Sequence, residues 1–116
     1  MSDITIYHNP RCSKSRQALV LLEQQGIEPE VVEYLKTPPT PEALQTIINQ
    51  LGISPRQLLR RGEAIYKELK LADDSFTDEQ LIQAMCDHPK LIERPIVINN
   101  NKAKIGRPPE AVLDII

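Results

Sequence analysis

Ile4-Thr5-Ile6-Tyr7-His8-Asn9-Pro10-Arg11-Cys12-Ser13-Lys14-Ser15-Arg16 is the stretch on which the fold turns. Ile4, Ile6 and His8 alternate with Thr5 and Tyr7, the period-two pattern of a short strand, and the turn dipeptide Asn9-Pro10 closes it. From Ser13 to Gln25, Ala18, Leu19, Val20, Leu21 and Leu22 give a broad helical face, and Gly26 is placed to end the helix in a left-handed conformation. Cys12 therefore lies where a strand hands over to a helix. Glu30 to Leu35, with Val31 and Val32, reads as a second strand. Strand, helix and strand in about thirty residues predict a parallel βαβ unit.

The middle of the chain changes character. Thr40-Pro41 and Ser54-Pro55 each place a capping residue before a proline at the first helical position, and Ser54 with Gln57 makes a capping box. Leu44, Ile47, Ile48 and Leu51 fit a helix that stops at Gly52, and Thr77 with Gln80 starts another that carries Leu81, Ile82 and Met85 to His88-Pro89. Positions 40 to 88 thus read as a mostly helical insertion. Beyond Arg94-Pro95, Ile96-Val97-Ile98, the polar turn Asn99-Asn100-Asn101 and Lys102-Ala103-Lys104-Ile105 predict a β-hairpin. Pro108-Pro109-Glu110 then starts a last helix with Val112, Leu113 and Ile116. The order predicts one α/β domain over 1–116, with the insertion between its second and third strands.

Composition agrees with one independently folding domain. The chain has 116 residues, and Leu, Ile and Val make up 28 percent of it, above the ~20 percent below which chains stay disordered. Fourteen Lys and Arg against sixteen Asp and Glu leave a net charge of -2, which argues against a nucleic-acid or polybasic membrane binder. The start lacks the basic and apolar regions of a signal peptide, and no apolar run approaches the ~18 residues of a membrane span. A cytoplasmic location is expected. Cys12 and Cys86 are the two cysteines, with no Cys-x-x-Cys or Cys-x-x-His pair, so neither a disulfide scaffold nor a zinc site is expected.

Cys12 is the sharpest chemical feature. N–H groups and the dipole at a helix N-terminus stabilise a thiolate relative to an ordinary pKa of ~8.5, and the same N–H groups suit an oxyanion. His8, Arg11, Lys14 and Arg16 add positive or potentially positive groups nearby. A phosphatase loop of the Cys-x5-Arg kind is disfavoured, because Ala18 stands where its arginine belongs. Cys86, flanked by Leu81, Ile82 and Met85, reads as packing, and His88 as a helix-end residue. Arg60, Arg94 and Arg107 have the planar, permanently charged fork that suits a tetrahedral oxyanion. Their spacing alone does not bring them together.

His8-Asn9-Pro10-Arg11-Cys12-Ser13-Lys14-Ser15-Arg16 resembles the active-site segment of the glutaredoxin-coupled arsenate reductases. The likeness runs on through Tyr34-Leu35-Lys36-Thr37-Pro38-Pro39, Leu58-Leu59-Arg60, Tyr66-Lys67-Glu68-Leu69, Phe76-Thr77-Asp78, His88-Pro89, Arg94-Pro95-Ile96-Val97 and Gly106-Arg107-Pro108. The resemblance implies a thioredoxin-like mixed sheet with a helical insertion, a catalytic cysteine at Cys12, oxyanion-binding arginines at Arg60, Arg94 and Arg107, and a supporting histidine at His8. It also implies a cis-proline loop at Arg94-Pro95. Ser13-Lys14 departs from the Gly-Thr often found in plasmid-type members, and the chain stops at Ile116, short of their C-terminal extension.

Reducing arsenate takes two electrons, so two thiols must end as one disulfide. Ser15 occupies the place of the second cysteine of a Cys-x-x-Cys pair, and the apolar surroundings of Cys86 favour an external thiol. The resemblance supplies glutathione as co-substrate and glutaredoxin as the partner that reduces the mixed disulfide, with no bound cofactor or metal, and a monomer is the default. Two other readings stay open: a glutaredoxin-like thiol-disulfide enzyme, and a non-enzymatic regulator similar to the Spx group, which binds RNA polymerase.

Overall fold

A computed structural model describes residues 4–116. Strands β1 (Thr5–Tyr7), β2 (Glu30–Val32), β3 (Ile96–Asn99) and β4 (Lys102–Ile105) form one sheet in the order β2-β1-β3-β4. β1 runs parallel to β2 and antiparallel to β3, and β3 is antiparallel to β4. Helix α1 (Ser13–Gln24) connects β1 to β2, which completes the βαβ unit. Between β2 and β3 lie α2 (Pro41–Leu51), α3 (Pro55–Leu58), α4 (Ala64–Glu68), α5 (Asp78–Asp87) and a 3-10 turn, Pro89–Leu91. A mixed sheet with helices inserted between its second and third strands is the thioredoxin-like arrangement expected. Among the described residues no helix is long and apolar enough to cross a membrane.

The chain divides into two compact units: the described residues up to Thr37 together with Arg94–Ile116, and Pro38–Glu93. In the first, Ile4, Ile6, Ala18, Leu22, Val97 and Val112 form a buried cluster, with Leu19, Ile27 and Ile115 packed against it. Alternation on β1 aims Ile4 and Ile6 at this core, and the i, i+4 pair Ala18 and Leu22 presents the buried face of α1. Gly26, at φ +77°, lets the chain leave α1 and return Ile27 N–H to the carbonyl of Leu22 at 3.1 Å. In the second unit α5 packs against α2, α3 and the 3-10 turn, and buries Leu81, Ile82 and Met85. Thr40 accepts from Ala43 N–H, Gly52 ends α2 at φ +71°, and capping boxes open α3 and α5, as their sequences predict.

Three expectations need correction. The second strand stops at Val32 instead of Leu35, because the Glu33 carbonyl accepts from both Lys36 N–H and Thr37 N–H and turns the chain. The last helix, Pro109–Ile115, is 3-10: Ala111 N–H bonds the Pro108 carbonyl three residues back, and two successive prolines supply no amide donors to an α-helical start. The hairpin turn is shorter than the three asparagines suggested. Asn99 belongs to β3, and Asn100 and Asn101 form a two-residue loop with φ of 51° and 65°.

Candidate active site

The site is built by the turn that follows β1. Cys12 N–H bonds the Asn9 carbonyl at 3.0 Å, and Asn9 Oδ1 accepts from Arg11 N–H at 3.0 Å. Asn9 at the first position of the turn and Pro10 at the second are the residues this geometry favours. Cys12 consequently becomes the N-cap of α1, with extended backbone angles, and its carbonyl accepts the first helical bond from Arg16 N–H at 3.0 Å.

A cysteine at an N-cap brings sulfur to the position an oxygen would occupy. The side chain makes no hydrogen bond of strict capping geometry, yet the N–H groups of Ser15 and Lys14 favour its anion. Burial pushes the Cys12 thiol pKa up, but the Ser15 and Lys14 N–H groups, the Arg107 charge and a hydrogen bond from Arg94 outweigh it. The net effect holds the pKa below its ordinary value. Cys12 is half-buried and Arg107 Nη2 donates to its sulfur at 3.6 Å. Cys86 goes the other way: burial raises its pKa, and Asp87 and Glu42 raise it further.

Arg107 and Arg94 are fastened together. Arg107 Nε donates to the Arg94 carbonyl at 2.8 Å, and Gly106 N–H bonds the Pro95 carbonyl at 2.9 Å. The Arg94-Pro95 peptide is cis, as the resemblance implied, and so is Arg107-Pro108. Gly106, directly after β4, lies close against the proline loop. A Cβ there would lie 2.7 Å from Pro95 Cγ and 3.2 Å from Val112 Cγ1. The residues alone did not single out this glycine, although a glycine at a strand end beside a proline signals close backbone approach.

Three residues after Cys12, Ser15 is wholly buried, and its hydroxyl accepts from Asn9 N–H at 3.0 Å and is hydrogen-bonded to His8 Nδ1 at 2.7 Å. His8 is buried as well, and that burial lowers its pKa, against a rise from Glu33 and with a further lowering from Arg16. His8 and Ser15 thus join the end of β1 to the first turn of α1. Arg60 belongs to the second unit, where Nε lies 3.5 Å from Glu63 Oε2 and Nη1 lies 3.2 Å from Glu93 Oε1. Of the expected site residues, Cys12, Arg94, Arg107, His8 and Ser15 share the first unit. Arg60 is held by two carboxylates that sequence spacing did not reveal.

A thioredoxin-like sheet with a cysteine at the N-cap of its first helix, two arginines beside it and a buried serine three residues on defines a member of that fold class without a Cys-x-x-Cys pair. Residues 7–115 match the model of the ArsC family, and the chain belongs to it. It is 59% identical over 114 residues to the uncharacterised protein YfgD of Escherichia coli K12, covering 97% of this chain and 96% of that one. An arsenate reductase of Escherichia coli is 53% identical over 116 residues, which span this chain and 82% of the relative. The solved arsenate reductase of Vibrio cholerae superposes with a TM-score of 0.96 at 54% identity, covering 97% of each chain.

Proposed function

We propose that this protein is a cytoplasmic oxidoreductase that reduces arsenate to arsenite through the Cys12 thiolate, with glutathione and glutaredoxin as reductants. The observation that carries the reading is the sulfur at the N-terminus of α1 with Arg107 Nη2 at 3.6 Å. That pairing puts a nucleophile beside a donor suited to an oxyanion. Relatives named arsenate reductases at about half identity support the substrate. Arg94 and Arg107 neutralise arsenate so that an anionic sulfur can approach it, and the family resemblance offers Arg60 as a third such ligand. His8 and Ser15 support the loop that carries Cys12.

Cys12 sulfur attacks arsenic(V), a sulfur–arsenic bond forms and an oxygen leaves as water after protonation. Glutathione displaces a second oxygen in the same way. Formation of the sulfur–sulfur bond between Cys12 and glutathione moves two electrons onto arsenic, and arsenite departs. Glutaredoxin thiolate then attacks the glutathione sulfur and returns Cys12 as thiolate. No cofactor or metal takes part. The test is arsenate-dependent NADPH oxidation with glutathione, glutaredoxin and glutathione reductase present. Turnover that needs all of these and Cys12 supports the reading, and absence of arsenate dependence overturns it.

A further inference from the structure

Helix α1 has a second face that the chemistry above leaves unused. Ser13, Arg16, Gln17, Val20 and Gln24 recur at helical three- and four-residue steps, and with Glu110 of the C-terminal 3-10 helix they line an open groove of about 530 Å³. That volume lies within the ~300–1,000 Å³ of small-molecule sites. The groove starts at Ser13, the residue after Cys12, and Val20 gives it an apolar patch at 48% exposure. Arg16 is anchored beside the reactive turn, since its Nη1 donates to the Pro10 carbonyl at 2.9 Å.

Arg16 and Glu110 carry opposite charges along this groove, and neither belongs to any ion pair among the described residues. A cation and an anion on one small surface, neither of them in an ion pair among the described residues, complement a zwitterion. The chemistry that fits is an α-amino-acid head group, with its carboxylate toward Arg16 and its ammonium toward Glu110. Gln17 and Gln24 add amide donors and acceptors for a peptide bond. We infer that the groove binds the γ-glutamyl arm of glutathione and presents its cysteinyl sulfur at the Cys12 end of α1. This inference rests on the reading of glutathione as the second thiol.

The test uses the full chain with Cys86→Ala and no arsenate. Cys12 thiolate attacks a disulfide, one sulfur–sulfur bond breaks, a mixed disulfide forms and the other half leaves as thiolate. Rates are compared for glutathione disulfide, for cystinyl-bis-glycine, which lacks the γ-glutamyl arm, and for neutral hydroxyethyl disulfide. Arg16→Gln and Glu110→Gln should each slow the glutathione disulfide about 3- to 10-fold relative to hydroxyethyl disulfide. Cystinyl-bis-glycine should respond less. An unchanged ratio in both variants overturns the proposal, and so does equal slowing of all three disulfides. Variants that affect only release of glutathione by glutaredoxin overturn it too, and assign the face to that protein. Because arsenate is absent, a failed arsenate assay leaves this result standing, and the reverse also holds.

Discussion

Arg107 Nε donates to the main-chain carbonyl of Arg94 at 2.8 Å, so one candidate oxyanion ligand is the scaffold for the other. The bond uses one of the guanidinium donors of Arg107 and leaves its Nη2 directed at Cys12 sulfur. Backbone carbonyls do not titrate, so this alignment holds across the working pH range.

Cys12→Ser should abolish arsenate reduction in a folded protein, whereas Cys86→Ala should keep most of it. Alkylation by iodoacetamide against pH should place half-reaction of Cys12 below the ~8.5 of a free thiol, because the folded state favours its thiolate. Cys86 should react only at higher pH. A Cys12 profile centred at or above the free value would remove the argument from the helix terminus.

Arg107→Ala and Arg94→Ala should each lower kcat/KM for arsenate roughly 10- to 150-fold, the loss of one charge-assisted hydrogen bond of ~1.5 to 3 kcal/mol. Lys at either position keeps the charge without the paired donors and should cost less. Arg60→Ala should cost least of the three, since Glu63 and Glu93 already engage that guanidinium. High phosphate or sulfate should compete with arsenate. Steady-state kinetics checks the order, and unchanged kcat/KM in every variant would dismiss the oxyanion assignment.

Gly106→Ala should disturb the site without altering any charged residue. Its Cβ meets a proline ring carbon at 2.7 Å, and a ring cannot swing aside. The strain should cost about 1–3 kcal/mol in urea unfolding, and displacement of Arg107 should raise the alkylation pKa of Cys12. Gly62→Ala, with nothing within 4 Å of the added carbon, serves as the control. Equal behaviour of the two variants would show that close approach at Gly106 does not set the position of Arg107.

His8 should make stability depend on pH in a defined direction. Burial lowers its folded-state pKa below the ~6.5 of an unfolded chain. Its contribution is therefore complete above ~6.5 and is lost as pH falls through the lower folded value. Urea denaturation across this window should show wild-type stability falling toward acid, with a shallower fall in His8→Gln. Ser15→Ala should cost about 1–3 kcal/mol, because Asn9 N–H loses its buried acceptor. Parallel slopes for wild type and His8→Gln would rule out the histidine as their source.

Local features were the most legible. Asn9-Pro10 before Cys12, Gly26, Gly52 and the Thr77 capping box each encode their geometry within a few residues, so they can be read without knowing the fold. Helix α4 carries no such local signal, because its five residues follow Glu63, an N-cap that makes no side-chain cap bond. The approach of Arg107 to Cys12 depends on β3 and β4 pairing beside β1, a non-local relationship that no periodicity records. Family resemblance supplied Arg60, Arg94 and Arg107. The bond from Arg107 to the Arg94 carbonyl and the narrow space at Gly106 are non-local, and no sequence pattern encodes them.

The order of the strands also sets a timetable. Cys12 and Arg107 are 95 residues apart, so at ~5–20 residues per second the ribosome adds the arginine on the order of 5 to 20 s after the cysteine. For most of that interval β1 lacks β3, its later-made neighbour. Until β3 and β4 are made, Cys12 has only the Ser15 and Lys14 amides of α1 to favour its thiolate, and the contribution of Arg107 comes later.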